Sequence, residues 1–120
     1  MHDAQSPQPE NDKTHEQEII RKGLTAPRIT PADIDAAVVG EQFHVFPGTM
    51  LTVCCLTLTN GFTVTGESAC ASPENFDAEI GQRVARAAAK QKIWPLLGFR
   101  LRDHLVSAAA AFKFVRLPDA

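Results

Sequence analysis

Apolar positions are distributed unevenly along the chain, and the unevenness predicts its elements. Residues 1–29 are rich in Gln, Glu, Asp, Pro and Lys with little apolar clustering. Such a stretch buries too little surface to offset the entropy of ordering, so a disordered polar tail is expected there. At most a transient helical turn forms over residues 16–23, cut short by Gly23 and Pro27. The folded domain is expected over residues 30–120. It opens with Thr30-Pro31-Ala32-Asp33: a hydroxyl for the N-cap, proline at the first helical position and an acid at the third. Ile34, Ala37 and Val38 fall on one face of this short helix, which Gly40 ends.

Beyond Gly40 the period changes from helical to alternating. Residues 42–46 read as extended, with Phe43 and Val45 on one face, and Pro47-Gly48 marks a turn. MLTVCCLTLT and FTVTGES flank Asn60-Gly61, the signature of a two-residue type I′ hairpin. That loop pairs residues whose numbers sum to 121. Val53, Cys55, Thr57, Phe62, Val64, Gly66 and Ser68 then share one face, and Thr52, Cys54, Leu56, Leu58, Thr63, Thr65 and Glu67 the other. Both faces mix apolar and hydroxyl residues, so both are expected to be covered, by helix, second subunit or ligand.

Ser72-Pro73-Glu74-Asn75 repeats the helix-start pattern and predicts a long helix over residues 73–93. Phe76, Ile80, Val84, Ala87 and Ala88 form its expected apolar stripe; Glu79, Arg83, Arg86 and Lys90 form the polar one. Pro95 interrupts it near Trp94, a second helix resumes, and FKFVRLPDA alternates like a short strand or docking tail. The expected fold is α+β, a small antiparallel meander and hairpin packed against a long helix, in an oligomer.

Composition narrows the function classes without naming one. With 120 residues there is room for one core. No run of eighteen apolar residues exists to span a membrane, and the polar, acidic N-terminus is no secretory signal, so a cytoplasmic protein is expected. The net charge of −2 conceals an asymmetry: residues 1–77 carry four basic and eleven acidic side chains, residues 78–120 eight and three. An anionic partner would meet the C-terminal half. Cys54, Cys55 and Cys70 are odd in number and form no CxxC, and the four histidines are scattered, so neither a disulfide scaffold nor a metal site is expected. No cofactor is expected either.

These residues suggest three chemistries. Cys70, just ahead of a helix start, with His44 as a base, would make a cysteine-dependent enzyme, but no residue is placed to orient His44. Glu67, Glu74 and Asp77 suggest a carboxylate pair, but Glu74 and Asp77 are better read as first-turn acids that stabilise the helix. Anion binding has more behind it. SACASPEN offers hydroxyls and amides at a helix start, Arg83, Arg86 and Lys90 follow on one stripe, Arg100 and Arg102 lie beyond the proline, and Phe62, Phe76, Phe99 and Trp94 are surfaces for stacking a base. The competing reading makes the charges a solvated face and the aromatics core. No phosphate-loop or kinase motif appears, and the basic residues are too sparse to expect a nucleic acid polymer as partner.

The words NGF, GESAC, PENFD, EIG and KIWPLLGF, spread over about residues 30–105, resemble a family of small tailed-phage accessory proteins. More distantly, the hairpin, the SAC segment and the PENFD helix start are similar to the phage Thoeris anti-defence proteins. That resemblance implies a phage-encoded protein of the host cytoplasm, a homo-oligomer that is no enzyme, binding and sequestering a cyclic nucleotide signal of the cyclic ADP-ribose type or a cyclic oligonucleotide. The residues expected to hold the ligand are Phe62, Ser68, Ser72, Asn75, Phe76, Arg83 and Arg86. The alternative is an accessory protein that acts by docking a host protein.

Overall fold

The computed structural model describes residues 9–24 and 26–116, with side chains described over 12–24 and 26–110. The chain runs α1 (Pro9–Arg21), α2 (Pro31–Ala37), β1 (Val38–Val45), β2 (Leu51–Leu58), β3 (Thr63–Ala69), a 3-10 turn (Pro73–Asn75), α3 (Ala78–Gln91) and α4 (Ile93–Arg116). The strands form an antiparallel meander in the order β1-β2-β3. The long bent helix made by α3 and α4 packs against it, giving the expected α+β fold.

Local chemistry explains the start of the domain. Thr30 Oγ1 accepts from the Asp33 backbone N–H while the Asp33 carboxylate accepts from the Thr30 N–H at 2.9 Å, a complete capping box. The helix ends at Ala37 rather than at Gly40, and β1 begins directly with Val38. Pro47 and Gly48 make the β1–β2 turn, Gly48 taking the positive φ of 77° that position i+2 of a type II turn requires.

The β2–β3 hairpin forms at Asn60-Gly61, but its register differs from the expected one. Paired residues sum to 120, as in Cys54 with Gly66 and Leu56 with Val64. Only Gly61 has positive φ, and the Leu58 N–H donates to Phe62 O at 2.8 Å across a three-residue loop. This is a turn closed by a left-handed glycine, not the type I′ turn that would need Asn60 at positive φ as well. Asn60 instead accepts the Phe62 N–H on its side chain at 3.0 Å. One extra loop residue turns β3 over relative to β2. Thr52, Cys54, Leu56 and Leu58 therefore share the buried face with Val64 and Gly66.

The predicted stripe of the long helix is also corrected. Ser72 makes no side-chain cap; Asp77 does, accepting the Ile80 N–H at 2.9 Å, so α3 starts five residues later than expected. Its buried residues are Gly81, Ala85 and Ala89, whereas Phe76 and Ile80 are exposed. The reason is distance. A Cβ on Gly66 would lie 2.3 Å from both Ala85 O and Ala89 N, and one on Gly81 would lie 2.8 Å from Thr52 Oγ1. Helix backbone rests on strand backbone, and only the smallest side chains fit between.

Pro95 has its expected effect one turn upstream. Its ring excludes the carbonyl of residue 91 from helical bonding, and α3 stops at Gln91. Ile93 and Leu97 on α4 complete a core made with Ile34, Ala37, Cys54, Leu56, Leu58 and Val64. The last residues expected as a strand or docking tail instead continue α4 to Arg116, and 117–120 lie outside the described residues.

Within the stretch expected to be a tail, residues 1–8 and 25 lie outside the described residues, but residues 9–21 form α1. The correction has visible causes. Glu16 forms an ion pair with Arg28, and Asp12 accepts from Gln91 Nε2 at 3.2 Å, tying α1 to the end of α3. The outer face of the sheet carries Gln42, His44, Val53, Cys55, Thr57, Thr63, Thr65 and Glu67. Its central strand and Thr65 are half-buried and its other edge residues exposed, the pattern of a face that no helix among the described residues covers.

Candidate functional site

The residues expected to bind ligand do not form one site. Phe62 sits at the hairpin tip and Phe76 precedes the α3 N-cap at the opposite end of β3. Seven residues of strand separate those ends, about 20 Å at 3.3 Å per residue. Ser68 on β3, Ser72 and Asn75 gather near the β3–α3 connection, where the Asn75 N–H donates to Ser72 O at 3.0 Å. Arg83 is exposed on α3. Arg86 donates to both Glu41 carboxylate oxygens at 2.8 and 3.1 Å and lies 5.2 Å from the Phe43 ring centroid. This bidentate pair holds Glu41 below the ordinary carboxylate range and Arg86 above its own. Lys90 likewise pairs with Asp35 at 2.6 Å. Two of the three basic residues on the predicted stripe therefore clamp α3 to β1 and α2.

Cys70 and His44 are not brought together either. Cys70 follows β3 and donates weakly to Ser72 O at 3.4 Å, while His44 lies on β1 at the far edge of the sheet, its ring against Phe46 at 4.5 Å. Two strand spacings, about 10 Å, separate those edges. Cys54 is fully buried, and burial pushes its thiol up to about 11 with the Glu41 charge adding to the effect.

A cleft of about 590 Å³ opens elsewhere, where the segment before α2, α2 itself, the hairpin turn and α4 meet. Its apolar wall is Ile29, Ala36, Ala37, Leu97 and Leu101; its polar wall is Arg28, Asp33, Thr59, Arg100 and His104. α4 supplies four of these because residues 97, 100, 101 and 104 recur at helical spacing on one face. Arg28 is shared with Glu16, yet its Nε is buried without a hydrogen-bond partner. Asp33 is committed to the capping box through Thr30 N and Oγ1 at 2.9 and 3.1 Å. Arg100 makes no ion pair among the described residues. Arg100 is thus the cation of this cleft without an ion-pair partner, beside a wall of aliphatic carbon and the Asp33 carboxylate, whose hydrogen bonds leave its charge in place. A cleft of this size and lining suits a small anionic molecule with an apolar part.

Sequence reasoning missed this cleft because four separate segments build it. Arg28 falls in the expected tail, and Thr59 at the end of the strand segment before Asn60-Gly61. One signal was present: in LLGFRLRDH the basic residues Arg100 and His104 occupy the same helical face as Leu97 and Leu101, where a purely structural stripe would be apolar throughout.

The cleft lies almost wholly inside a stretch with known relatives. The family model described as phage protein (N4 Gp49/phage Sf6 gene 66) matches residues 29–105, leaving out only Pro27 and Arg28 of the lining. No curated protein and no solved structure matches the chain significantly. Among the described residues no helix is long and apolar enough to cross a membrane. With about two thirds of its length matched, and the core and the α4 face of the cleft within the match, the chain belongs to the N4 Gp49/phage Sf6 gene 66 family of phage proteins.

Proposed function

We propose that this phage protein binds and sequesters a nucleotide-type phosphate signal, of the cyclic ADP-ribose or cyclic oligonucleotide class, and releases it unchanged. The observation that carries the reading is the cleft at α2 and α4, where the unpaired Arg100 stands with Arg28, His104 and Thr59 against an aliphatic wall. Guanidinium groups take phosphate oxygens as paired acceptors, and their planes and the aliphatic wall of Ile29, Leu97 and Leu101 give a base or ribose an apolar surface. Neither Phe62 nor Phe76 lines the cleft, so base stacking on them is not part of this reading. Sequestration requires affinity alone, without differential stabilisation of a transition state.

Titration calorimetry with cyclic ADP-ribose isomers and cyclic dinucleotides tests it, followed by heat release of the bound ligand and its identification by mass. Binding of one of them, weakened about tenfold or more by Arg100→Glu and unchanged by Arg83→Glu, is the expected result. Absence of binding by the native protein sinks the proposal, and recovery of an altered ligand would make the protein an enzyme. Loss of binding in Arg83→Glu alone would move the site to the β3–α3 connection.

A further inference from the structure

The helix ahead of the folded body, α1, docks on it through charge rather than bulk. Its half-buried residues are Asp12, Glu16 and Ile19, at spacings of four and three, and every other residue from 13 to 24 is exposed except these. A helix held by packing turns an apolar stripe inward. This one turns in two carboxylates and one isoleucine. Asp12 accepts from Gln91 at the end of α3, and Glu16 pairs with Arg28, a residue of the cleft wall. The end of α1 is well defined: the Leu24 N–H donates to Ile19 O at 3.1 Å and the Gly23 N–H to Ile20 O at 3.0 Å, with Gly23 at a φ of 71°. This is a Schellman motif, after which the chain runs on to Arg28.

Arg28 holds its acid less completely than Arg86 does. Arg86 gives Glu41 both Nε and Nη2. Arg28 gives Glu16 its Nη2, while its Nε is buried with no hydrogen-bond partner. A buried donor left unpaired is costly, and a guanidinium satisfies both nitrogens when it meets two acceptor oxygens side by side. Phosphate offers such a pair. Glu16 is therefore an incomplete partner for Arg28, and an anion in the cleft competes with it for the same guanidinium. The pair also keeps part of its surface in water, 27% for Arg28 and 21% for Glu16, and partly exposed pairs hold weakly.

We infer that α1 is an acidic strap that restrains the cleft: its Glu16 occupies Arg28 until a phosphate-bearing ligand takes that arginine, and α1 is then released from the body. The inference rests on the reading of the cleft as a phosphate site. The ligand's paired oxygens meet Nε and Nη2 of Arg28 together, and α1, left with Asp12 and Ile19, comes away. The coupling is reciprocal, so a docked α1 weakens the ligand by the same factor by which the ligand weakens docking. The strap thus sets the ligand concentration at which the cleft fills.

Calorimetry on the full chain with cyclic ADP-ribose isomers and cyclic dinucleotides tests the strap, joined to hydrogen exchange over residues 9–21. Neither Glu16 nor Ile19 belongs to the core, so both can be changed without unfolding the body. Glu16→Gln is expected to bind the tightest of these ligands about tenfold more strongly than the native chain. Ile19→Ser loosens α1 without altering any charge and is expected to bind it about threefold more strongly. In the native chain a saturating amount of that ligand is expected to speed exchange of the α1 amides about tenfold. Equal affinity in all three proteins overturns the strap and leaves the cleft reading standing. Tighter binding in Glu16→Gln alone makes Glu16 a nearby charge and overturns the strap too, as does α1 exchange that the ligand leaves unchanged. Absence of binding by all three removes the cleft reading and the strap with it.

Discussion

The contact between α3 and the β2–β3 hairpin and the outer stretch of α4 are built on opposite rules. In the first, helix backbone approaches strand backbone so closely that Gly66, Gly81, Ala85 and Ala89 are the only residues that fit, and their large apolar neighbours Phe76 and Ile80 are left outside. In the second, large apolar residues stand exposed along a helix that has left the body of the protein. The comparison teaches that side-chain bulk is a poor guide to which face of α3 is buried. There closeness at the small residues decides, while bulky residues such as Leu56 and Ile93 fill the core beside it.

The sharpest way to break that contrast is to add one methyl group where closeness is greatest. Gly66→Ala is expected to destabilise by about 4 kcal/mol or to prevent folding, more than ordinary overpacking, because its Cβ would strike backbone atoms that no rotamer change can move. Urea denaturation measures it, and a loss under about 1 kcal/mol would show that α3 stands further from the sheet. Next in size is a matched pair of truncations. Leu56→Ala, at a site only 1% exposed, is expected to cost about 3 kcal/mol, while Phe99→Ala, at 72%, leaves monomer stability within about 0.5 kcal/mol of native. Equal losses at the two sites would erase the distinction between the regions.

The smallest effect concerns the clamp at the edge of the helix contact. Because Arg86 donates two hydrogen bonds to Glu41, the carboxyl titrates lower in the folded chain than its ordinary 4.5. The stabilisation is complete above that ordinary value and is lost as pH falls through the lowered one. Both side chains are around 40% exposed, so solvent screens the pair. Glu41→Gln is expected to reduce the acid-induced fall in melting temperature by about 2 °C, and an identical fall in both proteins would show that the clamp contributes nothing.

What could be read from the chain depended on how local its causes were. The Thr30 to Asp33 capping box was legible because four consecutive residues hold all its atoms. Asn60-Gly61 announced a hairpin but not its register, since Asn-Gly serves both a two-residue loop with two left-handed residues and a three-residue loop with one. Packing decides between them: the three-residue loop puts Val64 and Gly66 on the same side as Cys54 and Leu56, beneath α3. The α3 stripe was misread for a related reason, because the strand partner that demands small residues, Gly66, lies outside the helix pattern. The cleft was hidden most deeply. Arg28, Asp33, Thr59 and Arg100 meet only after the chain has folded back on itself, and no spacing in the sequence brings those four together.

The neighbouring cysteines of β2 hold a consequence of their own. Cys54 faces α3, fully buried and with its thiol held at about 11, while Cys55, the next residue, is half-buried on the open face of the sheet. A thiol reagent acts on the thiolate, so Cys54 is silent until the whole chain unfolds, whereas Cys55 answers to whatever lies across the outer face. Two adjacent residues thus make a chemical reporter with its own internal clock. The modification rate at one reads the occupancy of a surface, and the rate at the other reads the lifetime of the fold.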